Sequence, residues 1–334
     1  MKQFSKIAAV AALTSLLAGP VLAADTITFA TAGPFGSTTT GEIFGVEKYV
    51  QALDGLFSLD PAFRDGTTFQ VFDRATMFAN LAEDLEAVST GAIQLTYSNA
   101  QTLESLAPEY KILNFPAMIK DFQHFKRAMK SEPWQAVESR LADKGAVILG
   151  WVFNGGNQYF FTRERLTSMD DLRGKRIRYP GGDAWRLSIE AFGAQGIALP
   201  YTEVVTSLQT NLIDGLITNF AGGVTAYSLR DYTPYATMVL LSAQPIAIVA
   251  NADWWNGLTA EKRKAIELTF SVMDASAYFD NMRAGLVKDW AAVEGYEANY
   301  PADADAWIAK MQEAARPLLS GVDPALLEAI EAAR

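Results

Sequence analysis

The sequence predicts an α/β fold arranged as two lobes. Short apolar, β-branched runs alternate with amphipathic helical segments along most of the chain, which is the pattern of strands covered by helices. A chain of 334 residues is also long enough to bury two cores rather than one. It contains no cysteine, so buried apolar surface, not a disulfide framework, must hold it together.

The first residues are read separately. Lys2 and Lys6 precede an apolar run from Ile7 to Leu17 that is too short to span a bilayer. Pro20-Val21-Leu22-Ala23 then offers small residues where a signal peptidase cuts. The expectation is a signal peptide over 1–23 and an exported mature chain of 311 residues beginning at Ala24. Losing it removes two lysines and leaves 26 basic against 38 acidic residues, a net charge of −12. That balance argues against nucleic acid as a partner and against a polybasic grip on anionic lipid. No later segment has the uninterrupted apolar length of a membrane span, so no membrane insertion is expected.

In order, Thr26 to Thr31 reads as a strand, followed by a glycine turn at Gly33 to Ser37 and a helix near Glu42 to Leu53. Thr68 to Phe72 is a second strand. Asp73 is expected to cap a helix from Arg74 to Ser89, on which Phe78, Leu81, Leu85 and Val88 share a face. Ile93 to Ser98 is the third strand. Two helices span Phe122 to Lys130 and Pro133 to Lys144, before strands at Val147 to Phe153 and Tyr159 to Thr162.

A second lobe then uses strands at Arg176 to Tyr179, Ile197 to Leu199 and Gly215 to Asn219, with helices at Asp183 to Phe192 and Thr202 to Leu212. Strands at Met238 to Leu241 and Ile246 to Asn251 are expected to return to the first lobe. Thr259 opens a very long amphipathic helix with a kink near Ser276, and helices around Asp303 to Leu319 and Pro324 to Ala333 close the chain. The expected division is 24–150 plus 238–300 for the first lobe, 151–237 for the second, and C-terminal helices over 301–334. Repeated crossings make the hinge several strands rather than a linker.

Composition excludes several chemistries. No cysteine and one histidine, His124, rule out thiol catalysis, cysteine zinc sites and multi-histidine metal sites. His124 reads as part of the start of a surface helix and as structural, and no serine elbow motif is present. The glycine pairs Gly155-Gly156, Gly181-Gly182 and Gly222-Gly223 fit no phosphate-cradle fingerprint. Asp170-Asp171 and Glu83-Asp84 read as helix starts and solvated faces. No cofactor and no metal are expected.

The informative stretch is Asp171 to Pro180, DLRGKRIRYP. It holds Arg178 in a short β-prone run stopped by Pro180 and followed by Gly181-Gly182. An arginine on a strand end beside a glycine turn can present its planar fork to a carboxylate with little entropic loss. Around it stand Gly150-Trp151-Val152-Phe153-Asn154-Gly155-Gly156-Asn157, then Ala191-Phe192-Gly193-Ala194, Glu203-Val204-Val205-Thr206-Ser207-Leu208-Gln209-Thr210 and Ile213-Asp214-Gly215. Leu106-Ala107-Pro108-Glu109 and Asn114-Phe115-Pro116 lie upstream, and Leu258-Thr259-Ala260-Glu261 opens the long helix.

In that order these segments resemble the solute-binding proteins of TRAP (tripartite ATP-independent periplasmic) transporters. The resemblance covers nearly all of the mature chain. It implies a two-lobed periplasmic binding protein of Venus-flytrap type, with a long helix spanning both lobes. It further implies a monomer in the periplasm that delivers a small organic acid to integral-membrane TRAP permease subunits. The arginine matching Arg178 would clamp the carboxylate. Asn157 stands where many members place a second arginine, which points to a monocarboxylate. Asn219, or else Thr218, would take the role of a ligand-facing asparagine.

The remaining expected site residues are drawn from strand ends and loops. They are Phe35 and Thr38 in the first βα loop, Asn99 after the third strand, Trp185 in the first turn of a helix, and the aromatics Tyr159 and Phe220. Such aromatics suggest an apolar or aromatic ligand body. An exported carboxylate-dependent enzyme, or a binding protein serving a sensor, remain the alternatives on sequence.

Overall fold

The structure, a computed structural model, describes residues 25–33, 45–153, 157–220, 229–243, 245–272, 285 and 287–334. The first sheet contains β1 (Thr26–Ala30), β2 (Thr68–Phe72), β3 (Leu95–Asn99), β4 (Ala146–Phe153) and β10 (Pro245–Asn251), ordered β2-β1-β3-β10-β4. The second contains β5 (Gln158–Thr162), β6 (Arg176–Tyr179), β7 (Gln195–Ala198), β8 (Gly215–Thr218), β9 (Tyr235–Ser242) and β11 (Glu297–Asn299), ordered β11-β9-β5-β8-β6-β7. The two-lobed α/β architecture expected from the sequence is present.

Each sheet is covered on both faces, which explains why its central strands read as continuous apolar runs. On β10, Ala247 and Val249 join one core cluster while Ile246, Ile248 and Ala250 join another. In the second lobe Phe160 and Ile217 face one cluster, and Tyr159, Phe161 and Leu216 the other. Alternate residues of a strand point to opposite faces, so each apolar run feeds two cores.

The chain crosses between sheets at β4 to β5 and back at β9 to β10. Both crossings run side by side: Phe153 pairs with Pro245 in the first sheet, and Gln158 with Ser242 in the second. The strands flanking these two crossings are therefore paired with each other on either side of the boundary between the sheets. The expectation that Met238 onward belongs to the first lobe is corrected here. β9 lies in the second sheet, antiparallel to β5 and parallel to β11, and the return begins only at β10. An apolar strand carries no mark of which sheet it joins, because both sheets offer the same buried environment.

Helices α1 (Gly45–Leu59), α2 (Leu81–Ser89), α3 (Ala100–Leu103), α4 (Phe122–Met129) and α5 (Glu132–Ser139) belong to the first lobe, and α6 (Asp183–Glu190) and α7 (Val204–Gln209) to the second. Asp73 does not cap α2. Arg74 and Ala75 adopt left-handed backbone, with φ of 53° and 57°, which a right-handed helix cannot include. Asn80 is the cap, its side chain accepting from the Ala82 and Glu83 N–H groups.

Two short helices at Ala252–Gly257 and Ala260–Val272 follow β10. The rest of the expected long helix and its kink near Ser276 lie outside the described residues, and Trp290 beyond them packs into the second-lobe core. Helix Ala304–Ala315 rests on α6 and β9, whereas helix Pro324–Ala332 rests on α4 and α5, so the C-terminus ties down both lobes.

His124 is structural, as expected, but buried rather than on the surface. Its Nδ1 accepts from the Lys120 N–H at 3.2 Å, which leaves Nε2 to donate to the Ile330 carbonyl at 2.7 Å. That bond fastens the last helix to α4.

Candidate functional site

A cavity of about 430 Å³ opens between the lobes. From the first lobe it is lined by Gly33, Leu81, Tyr97, Asn99, Thr102 and Ile246, among others; from the second by Gln158, Arg178, Tyr201, Thr202, Thr218 and Asn219. Topology puts it there. β6, β7 and β8 are mutually parallel, as are β1 and β3, and their carboxyl ends converge on this space, where open α/β sheets collect their ligands.

Arg178 is 2% exposed and projects from β6 on the side opposite Ile177, which packs in the core. Its Nε donates to the Leu199 carbonyl at 2.9 Å, and its guanidinium carbon lies 4.8 Å from the centre of the Tyr201 ring. Tyr201 is itself tied through its hydroxyl to Thr218 Oγ1 at 2.7 Å. A hydrogen bond from behind and an aromatic platform hold the fork in place, which lowers the entropy lost when it grips an anion. Gly181 and Gly182, with φ of 114° and 86°, make the bend after Pro180 that a side chain would strain. Among the described residues lining the cavity, Arg178 is the one that carries a charge.

The described residues of the first-lobe wall are neutral, and a buried acid braces them from behind. Asp84, fully buried, accepts the Ala32 N–H at 2.6 Å and so fixes the chain just after β1. Burial pushes its carboxyl up to about 7, further raised by Glu83, against the bonds from Ala32 and Thr31 that pull it down. Glu83 and Asp84 lie in the first turn of α2, as expected of a helix start, but Asp84 points inward rather than onto a solvated face. Gly33 is required on this wall, because a Cβ there would lie 1.5 Å from the Tyr97 hydroxyl oxygen.

Beside the cavity the lobes touch. A Cβ at Gly182 would sit 3.3 Å from Gln101 Cβ and 3.6 Å from Glu104 Oε1, across from α3. The Glu104 carboxyl is raised to about 7, first by burial and then by Asp183, while Asn114 and Lys111 pull it down.

Of the residues expected from sequence, Arg178, Asn99 and Asn219 line the cavity, and so does Thr218. Asn157 is buried but not on the wall, and its Oδ1 has no hydrogen-bond partner among the described residues; its neighbour Gln158 is on the wall. Trp185, 1% exposed, packs with Ile177, Tyr179 and Ile189 in the second-lobe core. Tyr159 and Phe220 sit in the opposite core, with Phe220 against Phe161 and Trp290. Large aromatics bury more area in a core than on a wall, so core packing wins for all three. Phe35 and Thr38 lie outside the described residues. Tyr201, Gln158 and Thr102 were missed. Tyr201 could have been found, since it stands three residues past the end of β7, in the segment that follows it.

No cluster of metal-ligating side chains occurs among the described residues, and no helix there is long and apolar enough to cross a membrane. The described cavity wall also carries no carboxylate to serve as a general acid or base. Two α/β lobes joined by paired strands, with a described first-lobe wall that is neutral and faces a buried cation, fit a two-lobed solute-binding protein.

Comparison with known proteins places the chain more closely. Residues 66–319 match the family described as bacterial extracellular solute-binding protein, family 7, so the chain belongs to that family, the solute-binding proteins of TRAP transporters. Its members are binding proteins rather than enzymes. The C4-dicarboxylate-binding periplasmic protein DctP of Shewanella loihica is 27% identical over 250 residues, covering 72% of each chain. Among solved structures, a TRAP periplasmic solute-binding protein from Shewanella oneidensis with bound succinate superposes with a TM-score of 0.79 at 22% identity, covering 93% of this chain and 99% of the other. One from Pseudomonas putida F1 with bound D-glucuronate gives 0.78 at 23%, covering 92% and 97%.

Proposed function

We propose that this protein captures a small monocarboxylic acid by closure of its two lobes, with Arg178 clamping the carboxylate, and delivers it to a TRAP-type membrane permease. Residues 1–23 act as the export signal, the mature protein works as a monomer in the periplasm, and the permease uses the ion gradient. The observation that carries the ligand class is the solitary charge of Arg178 among the described wall residues. Its relatives hold both kinds of acid, since succinate has two carboxylates and D-glucuronate one. Among the described wall residues a second carboxylate would meet neutral groups and lose its hydration without a compensating cation.

A thermal-shift comparison tests this reading. Small monocarboxylates, their neutral amides and succinate would be titrated against the mature protein. A ligand that binds only the folded state raises the midpoint with concentration. The expected result is a rise with one or more monocarboxylates and none with the matching amides. Equal shifts from acid and amide would remove the clamp, and a larger shift from succinate would overturn the monocarboxylate assignment.

A further inference from the structure

The Asn99 side chain is committed at one end and open at the other. Its Oδ1 accepts from the Thr102 backbone N–H at 3.0 Å and from the Thr102 hydroxyl at 2.7 Å. A backbone N–H can only donate, so the oxygen and not the nitrogen must face Thr102, and chemistry settles the amide orientation. Among the described residues, the side-chain bonds of Asn99 run through Oδ1 and none through Nδ2. Asn99 is 7% exposed and lines the cavity. Its free end is therefore an NH₂ group, which donates and cannot accept. Asn80, the other asparagine on the first-lobe wall, differs: its Oδ1 caps α2 and its Nδ2 donates to Glu83 at 2.8 Å, so neither end is left over.

We infer that Asn99 is a specificity-determining residue that requires an uncharged hydrogen-bond acceptor on the ligand, so that the solute is a hydroxy- or oxo-carboxylic acid rather than an unsubstituted one. This rests on the carboxylate reading above: Arg178 on the second lobe takes the charge, and Asn99 on the first takes the acceptor. The acceptor is uncharged because the described wall offers no second cation. An acid lacking it would close the lobes over an unpaired NH₂ donor, a mismatch that lowers affinity on the order of tenfold to a hundredfold.

The test is calorimetric titration of butanoate and hexanoate and of their 2- and 3-hydroxy and 2- and 3-oxo derivatives. The wild type should favour at least one substituted acid over its parent by about tenfold or more. Asn99→Asp keeps the oxygen that holds Thr102 but turns the donor into an acceptor. It repels every carboxylate, so the informative quantity is a ratio. An oxo group can only accept, whereas a hydroxyl can also donate to the new carboxylate. Asn99→Asp should therefore shift the hydroxy-to-oxo preference toward the hydroxy acid by about tenfold. Asn99→Ser, which keeps a capping oxygen but not the reach, should flatten the preference over the parent acids. An unchanged melting midpoint without ligand shows that both variants fold. Parent acids binding as tightly as substituted ones, or an unchanged hydroxy-to-oxo ratio in Asn99→Asp, overturns the inference while leaving the carboxylate reading intact. Binding of none of these acids would overturn both.

Discussion

The two lobes meet the cavity in opposite ways. The second lobe brings a fixed charge to the surface of the cleft, with Arg178 held by the Leu199 carbonyl and the Tyr201 ring. The first lobe keeps its buried acid behind the wall, where Asp84 anchors Ala32, and among the described residues shows the cleft neutral groups. Under the proposed function, an acid would meet the charge on the second lobe first by electrostatic attraction, and closure of the first lobe would strengthen that pairing by excluding water. The difference teaches how recognition would be divided under the proposed function: charge on one lobe, shape and hydrogen-bond polarity on the other.

The largest expected effect separates the core of the second lobe from its binding surface. Trp185→Ala should lower stability by about 3–5 kcal/mol, read by denaturant unfolding, because it empties a core position, yet leave the affinity of the folded variant near that of the wild type. A large loss of affinity in folded Trp185→Ala would return the residue to the site. Arg178→Ala should do the reverse, costing roughly 3 kcal/mol or more of binding, about a hundredfold in the dissociation constant, with a smaller change in stability. Binding that survives Arg178→Ala would break the division between lobes.

The smallest effect probes the seam. The Glu104 carboxyl, raised from 4.5 to about 7 by burial and by Asp183, favours the touching lobes while it is neutral. With a raised acid, that contribution is complete below the ordinary carboxyl range and is lost as pH climbs through about 7. Affinity should therefore fall severalfold between about pH 5.5 and about pH 8.5 in the wild type and stay nearly level in Glu104→Gln. The same slope in both proteins would show that the seam does not couple to binding.

Arg178 was legible less from its own neighbourhood, where a strand end, a proline stop and two glycines suit a surface arginine as well, than from the order of motifs around it, which resembles the family along nearly the whole chain. Helix α2 shows how a local signal misleads. Asp73 is a good cap in isolation, but the left-handed Arg74 and Ala75 delay the helix until Asn80 can cap it. Asn157 and Gln158 show the limit more sharply. On extended backbone, neighbours face opposite sides, so an offset of one residue decided which amide reached the cavity. Asp84 escaped because nothing in its neighbourhood on the chain says that the Ala32 N–H, 52 positions away, will meet it.

By itself the sequence determined the α/β class, the two lobes and the absence of thiol chemistry, and it singled out Arg178 as the candidate for the site. These follow from periodicity, composition and short motifs, all of which act over a few residues. Only the tertiary structure decided that β9 belongs to the second sheet, that Trp185, Tyr159 and Phe220 are core, and that Tyr201 underlies Arg178. It also decided that Asn99 turns its donor end free. Those outcomes depend on which strand ends converge and which polar groups find partners across long stretches of chain, and such pairings are settled by packing, not by local preference.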